Sequence, residues 1–168
     1  MRWLARIGSS YQSVRACGGK RLGNYHMPTP TKETLAKLNA LNDWLKVVYA
    51  DEVHLSDLLI NAGISVENIN EIKANYLTEY LDGVLLFLQN IDAGYDATRR
   101  HDVMLRHYGL VTGQKETLQS IADEYKVSRE RIRQLVEKRL QLLKNKKRKL
   151  DFEQELARLV DAILKPSN

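Results

Sequence analysis

Leu35, Leu38, Leu41, Leu45 and Val48 recur every three or four positions, the spacing that lines one face of an α-helix. A first helix is expected from near Thr31 or Thr34, with Trp44 and Tyr49 flanking its apolar stripe. Ser56 is placed to cap a short helix ending near Ala62, and Gly63 suits the left-handed residue that closes it. Ser65 then caps a helix carrying Ile69 and Ile72. A longer helix follows with Tyr76, Leu77, Tyr80, Leu81, Val84, Leu85 and Leu88, broken by Asp92-Ala-Gly94. The next helix runs from Ala97 to Tyr108, buries Val103, Met104 and Tyr108, and ends at Gly109. After a loop over 111–116, Thr117 caps one helix and Ser128 another; the second is read as unbroken to about Lys147. Leu156, Leu159, Val160, Ile163 and Leu164 make a last amphipathic helix, stopped before Pro166. The pattern predicts an all-α protein, an N-terminal helical bundle followed by a helix-turn-helix domain, with no strand and no internal repeat beyond two hairpin-like units.

The stretch from Thr117 to Leu143 carries the most specific chemistry. Two helices that cross steeply need a small residue on the first, and Ala122 supplies it. Ile121, Tyr125, Val127, Ile132 and Leu135 have the offsets of a small shared core. The turn position that usually takes positive φ holds Lys126, a cost of about 1 kcal/mol relative to glycine. With Ser128 as cap, Arg129, Glu130, Arg131, Arg133 and Gln134 occupy the first two turns of the second helix. Arginine can pair with guanine, glutamine with adenine and glutamate with cytosine N4, so this set suits a helix entering a DNA major groove. The helix N-terminus adds its own positive end near phosphate. Lys144, Lys146, Lys147, Arg148 and Lys149 follow and are read as backbone or solvent contacts. An earlier unit, Leu55–Tyr76, has the same helix-turn-helix outline, but its second helix carries Glu67 and Glu71 and no arginine; it reads as a hairpin in a packed bundle.

Charge distribution sharpens this picture. The chain has 168 residues and a net charge of +5. Residues 1–32 hold six bases and no acid, residues 33–98 hold three lysines against eleven acids, and residues 128–149 hold ten bases against two acids. Acidic middle and basic C-terminal third imply different partners, a polyanion for the latter. Three units are therefore expected: a basic arm over 1–30, an acidic helical domain over 31–96, and a helix-turn-helix domain with C-terminal helix over 97–168. The arm, which has Gly18-Gly19 and Gly23 and ends in Pro28-Thr-Pro30, has three readings: a flexible segment, a stretch upstream of a true start at Met27, or an organelle-targeting peptide.

Val127-Ser-Arg-Glu-Arg-Ile-Arg-Gln-Leu135 resembles the recognition helix of region 4 of housekeeping-type bacterial sigma factors. Arg106-His-Tyr-Gly-Leu110 and Thr117-Leu118 with Ile121 resemble the elements before it, and the likeness covers roughly residues 98–144. It implies binding to double-stranded promoter DNA at the −35 element and packing on the flap of the RNA polymerase β subunit. It implies Arg129, Glu130, Arg131, Arg133 and Gln134 as base and phosphate contacts, with Thr117, Leu118 and Arg106 as supporting or backbone contacts; Lys138 is added to this DNA-binding set. The chain departs from the family pattern at His107, Arg100, Ser120 and Val136, and no segment resembles the strand-opening region 2. The function expected is sequence-specific DNA binding in transcription initiation or its regulation by a sigma-like protein lacking region 2. The alternative is a protein-interaction module that docks on polymerase or another transcription protein without reading DNA.

No catalytic set is visible. His26, His54, His101 and His107 are scattered, and the last two are off a shared helix face, so they read as surface or helix-packing residues rather than metal ligands. The acidic pairs of the middle read as solvated helix faces. There is no phosphate-binding glycine loop. Cys17, the single cysteine, has no neighbouring base to activate it. No enzyme activity, cofactor, metal or small-molecule substrate is expected. No apolar run reaches the roughly 20 residues of a membrane span, so no membrane contact is expected; the region 4 resemblance implies a cytoplasmic, nucleoid-associated protein.

Overall fold

The computed structural model of the chain describes residues 29–165. The basic arm up to residue 28, with Cys17, His26 and Met27, and the stop at Pro166 lie outside the described residues. Those residues form eight α-helices and no strand: α1 Lys32–Tyr49, α2 Leu55–Asn61, α3 Val66–Asn75, α4 Leu77–Asn90, α5 Ala97–Tyr108, α6 Leu118–Tyr125, α7 Arg129–Lys144 and α8 Lys146–Leu164. The fold is all-α, as the hydrophobic spacing predicts.

Local chemistry sets most helix starts. The side chains of Thr31, Ser65, Thr117 and Ser128 each accept a hydrogen bond from the backbone N–H three residues on, satisfying a donor that the helix cannot. Helix α2 differs from expectation. Its cap is His54, whose backbone N–H donates to Asp57 at 2.9 Å, while Ser56 lies one residue inside the helix and accepts from Lys73 Nζ. Gly109 closes α5 at φ +70; a Cβ there would lie 2.7 Å from the Gln114 backbone, so glycine is required both by the turn and by the returning loop.

The first apolar stripe is rotated from the one the leucine spacing suggests. Trp44 is fully buried with Ala40, Leu41, Leu45 and Val48, whereas Leu35 is exposed. The face is set by what covers it, because α1 packs on α4, α5 and α7 as well as α2.

The C-terminal third holds the largest difference. Helix α7 stops at Lys144 rather than Lys147, because Asn145 turns extended (φ −62, ψ 134) and its side chain caps a new helix by accepting from the Lys147 N–H. That helix, α8, begins ten residues before Leu156, and the basic run therefore sits at a helix junction. It turns back onto α2, α3 and α4. Phe152, Leu156, Leu159 and Val160 are buried there, and Gly83 of α4 lets Leu159 approach so closely that a Cβ would stand 2.9 Å from it. The Tyr80 hydroxyl donates to the Leu156 carbonyl at 3.0 Å. Trp44 meets Phe152 edge to face at 5.9 Å. One contiguous core thus runs from α1 through α8. Its consequence is that α5–α7 are backed by the acidic half.

Candidate nucleic-acid interface

Helices α6 and α7 cross around Ala122, which has no exposed surface, and Ile121, Ile132 and Leu135 close the space around it. Tyr125 and Val127 pack at the rim. Lys126 takes φ +56 and its N–H returns to α6, while Val127 N–H donates to the Ala122 carbonyl at 3.1 Å. The small residue, the left-handed turn and the cap are three independent local requirements, and the sequence meets each one.

This crossing presents the first turns of α7. Ser128 Oγ accepts from the Arg131 N–H at 3.1 Å. Arg129, Glu130, Arg133, Gln134 and Lys138 are all exposed. Arg131 is half-buried, and its guanidinium lies 3.3 Å from Asp96, the left-handed residue (φ 69) just before α5. Arg133 forms a two-pronged pair with Glu130, Nε and a terminal nitrogen at 2.9 and 2.7 Å, and reaches Glu137 at 3.4 Å. Its guanidinium hydrogen-bonds hold the Glu130 carboxyl below its ordinary range, so Glu130 is an anion at neutral pH. These surface pairs are weak enough to exchange for a base edge or a phosphate.

The supporting residues separate into distinct roles. Thr117 is exposed and caps α6. Leu118 is partly buried against the core. Arg106 is engaged by three carboxylates: Glu116 at 2.7 Å, Glu124, and Asp102 at 3.8 Å. It fastens α5 to the loop and to α6. His107 Nδ1 sits 3.0 Å from the Glu116 carbonyl, on the same loop. The Tyr125 hydroxyl donates to Asp102, and burial raises its pKa to about 12.

One of the ten bases counted over 128–149 is interior. Arg139, on α7, has no exposed surface. It pairs with Asp92 at 3.1 Å, donates to the Leu88 carbonyl and lies 3.2 Å from His101 Nδ1. Arg100 binds the same Asp92 at 2.9 Å. Asp92 is itself 5% exposed, not part of a solvated acidic face. Burial pushes the Arg139 guanidinium below its ordinary range and Asp92 opposes that; burial with Arg139 nearby lowers His101 to about 4. The signal was present, because Ile132, Leu135, Arg139 and Leu143 share one helical stripe. Asp96 and Glu124 carried no comparable mark. Among the described residues no group of three or more His, Cys, Asp or Glu is placed to hold a metal.

An all-α chain that presents a capped, arginine-bearing helix on a small-residue crossing has the helix-turn-helix architecture of DNA-binding proteins. The comparisons place it more narrowly: residues 97–145 match the family model Sigma-70, region 4. Over 98 residues the chain is 35% identical to the RNA polymerase sigma factor SigA1 of Synechococcus elongatus, an alignment covering 58% of this chain and 22% of that protein. The chain thus spans about a fifth of the length of the relative it matches. No solved structure matches. Residues 97–145 are a sigma region 4-like segment, a DNA-binding rather than a catalytic type of domain. Among the described residues no helix is long and apolar enough to cross a membrane.

Proposed function

We propose that this chain recognises duplex promoter DNA in a sequence-specific manner, in transcription initiation or its regulation, through the exposed face of α7. The observation that carries the reading is the orientation of the Ser128–Gln134 turn: anchored by its cap on a closed hydrophobic crossing, it holds Arg129, Glu130, Arg133 and Gln134 outward. Arg131, half-buried against Asp96, stands at the edge of that face. Base reading falls to Arg129, Glu130, Arg131, Arg133 and Gln134, and backbone positioning to Lys138 and Thr117. Arg106 and Leu118 act from behind, by fixing where α6 sits. The proposed role is recognition, by a sigma-like protein lacking region 2.

Docking on the polymerase β flap goes with the region 4 likeness and is the proposed protein contact. The change of charge near residue 96 marks a functional division: an acidic unit over 31–96 with a partner other than DNA, and a DNA-binding unit over 97–168, sharing one core. A cytoplasmic, nucleoid-associated location follows from this role.

The test is selection of bound sequences from a random duplex pool, followed by titration of the selected and a scrambled duplex with wild type and Arg131→Ala. The expected result is an enriched motif whose advantage over the scrambled duplex shrinks in the variant. Absence of any salt-sensitive duplex binding by the wild type overturns the reading; equal discrimination by both proteins overturns the assignment of Arg131.

A further inference from the structure

The cations that follow α7 form a surface whose arrangement the DNA-reading turn does not require. Along α7, Glu130, Arg133, Glu137, Gln141 and Lys144 are exposed and fall three or four apart, so Lys144 lies on the same face as Arg133. The two acids on that stripe are both held by Arg133. Beyond Lys144 the chain breaks at Asn145, and Lys146, Lys147 and Arg148 open α8, all exposed. Among the described residues none of Lys144, Lys146, Lys147 and Arg148 is paired with a carboxylate. Lys149 is different, since its ammonium lies 5.0 Å from the Tyr49 ring.

This placement opposes the ordinary physics of helices. The first turn of a helix favours acids and disfavours cations, by about 0.3–1 kcal/mol each. The first turn of α8 holds no acid at all. Lys146, Lys147 and Arg148, unpaired and kept where the helix field and their mutual repulsion both oppose them, with unpaired Lys144 beside them at the end of α7, are arranged for an external polyanion rather than for stability.

We propose that this junction is a second phosphate-binding element, and that α7 lies lengthwise along the major groove with the junction on the duplex backbone flanking the bases read by Arg129–Gln134. The inference rests on the DNA-binding reading above and deepens it. Helix α7 is about 22 Å from Arg129 to Lys144 at 1.5 Å per residue. The major groove winds around the duplex, so a straight helix of that length laid along it runs out over the flanking phosphates at its C-terminal end. A helix entering end-on would lift the junction off the same duplex. The unbroken exposed stripe favours the lengthwise pose.

The experiment measures binding of the full chain to a mixed-sequence duplex across a salt series, for wild type and for Lys144→Gln/Lys146→Gln/Lys147→Gln/Arg148→Gln. Each lost phosphate contact lowers the slope of log affinity against log salt by about 0.9, so the variant slope is expected to be shallower by about 2–4. The variant is also expected to melt no lower than wild type, because relief of the helix-field conflict at Lys146, Lys147 and Arg148 outweighs the loss of one favourable cation at Lys144; its melting curve thus reports that the loss is not unfolding. A second arm shortens the duplex step by step on either side of a selected site. On the long duplex wild type should exceed the variant, and once the flank under the junction is removed the two should bind alike. Equal slopes on the long duplex overturn the junction while leaving the recognition helix in place. A difference that persists on every shortened duplex overturns the lengthwise pose. Loss of all salt-sensitive binding by wild type removes the underlying reading and this one together.

Discussion

Among the described residues two helix-turn-helix hairpins of similar outline occur, and only one of them has the chemistry of a DNA reader. In α2–α3 the turn uses Gly63 at φ +89, and Ser65 caps the second helix by accepting from Asn68 N–H at 3.3 Å. In α6–α7 the turn uses Lys126 at φ +56, and Ser128 caps the second helix by accepting from Arg131 N–H at 3.1 Å. The outward faces differ. Helix α3 presents Glu67 and Glu71, which repel phosphate, and α8 packs across it. Helix α7 presents arginines and continues past its hairpin, where Arg139 anchors it to the turn between α4 and α5. The turn and cap make a hairpin; the exposed charges and the anchoring decide what it can do.

The anchor offers the strongest way to break this contrast. Arg139→Ala leaves a cavity and removes one of two partners from buried Asp92, so unfolding stability should fall by about 3–5 kcal/mol. Denaturant unfolding measures it, and a loss under about 1 kcal/mol would show that Arg139 does not anchor α7.

The same cluster makes stability depend on pH. His101 titrates near 4 when folded and near 6.5 when unfolded. The unfolded chain therefore takes up a proton first as pH falls from 6.5, and stability declines until about pH 4. The gap corresponds to at most about 3 kcal/mol. Unfolding measured over that range should show this slope for wild type and its loss in His101→Gln. Survival of the slope in the variant would move its origin elsewhere.

The contrast between the outward faces is sharpened by binding. Arg133→Ala should weaken association with a selected duplex by about 1–3 kcal/mol, whereas Glu67→Gln/Glu71→Gln should leave it unchanged or slightly tighter. Fluorescence anisotropy reads both, and a larger effect from the α3 pair would reverse the roles of the two hairpins. The smallest effect concerns what the hairpins share. Ser65→Ala and Ser128→Ala should each cost about 1 kcal/mol of stability, since each removes one cap hydrogen bond of the same kind.

The local features were legible in the residues themselves. A cap needs a short side-chain acceptor, a left-handed turn tolerates few residues, and a steep crossing needs a small one; Ser128, Gly109 and Ala122 answer those needs within a few positions of chain. The boundary of α7 was less legible, because Asn145 ends one helix and starts the next without a proline or glycine to mark it. Leu35, Trp44 and Asp92 show the limit further. Whether each is covered depends on helices far along the chain, and spacing alone gives a periodicity without saying which element will lie over it.

Composition and spacing by themselves determined that this chain is helical, where its capped turns fall and that a run of arginines opens α7. Tertiary structure alone decided that α8 would fold back to back the acidic half, that Arg139 would leave the basic surface for an interior pair with Asp92, and that Arg131 would meet Asp96. The reason is physical: caps and turns are satisfied within a few residues, whereas burial of a charge or an apolar face is a property of whatever distant element packs against it.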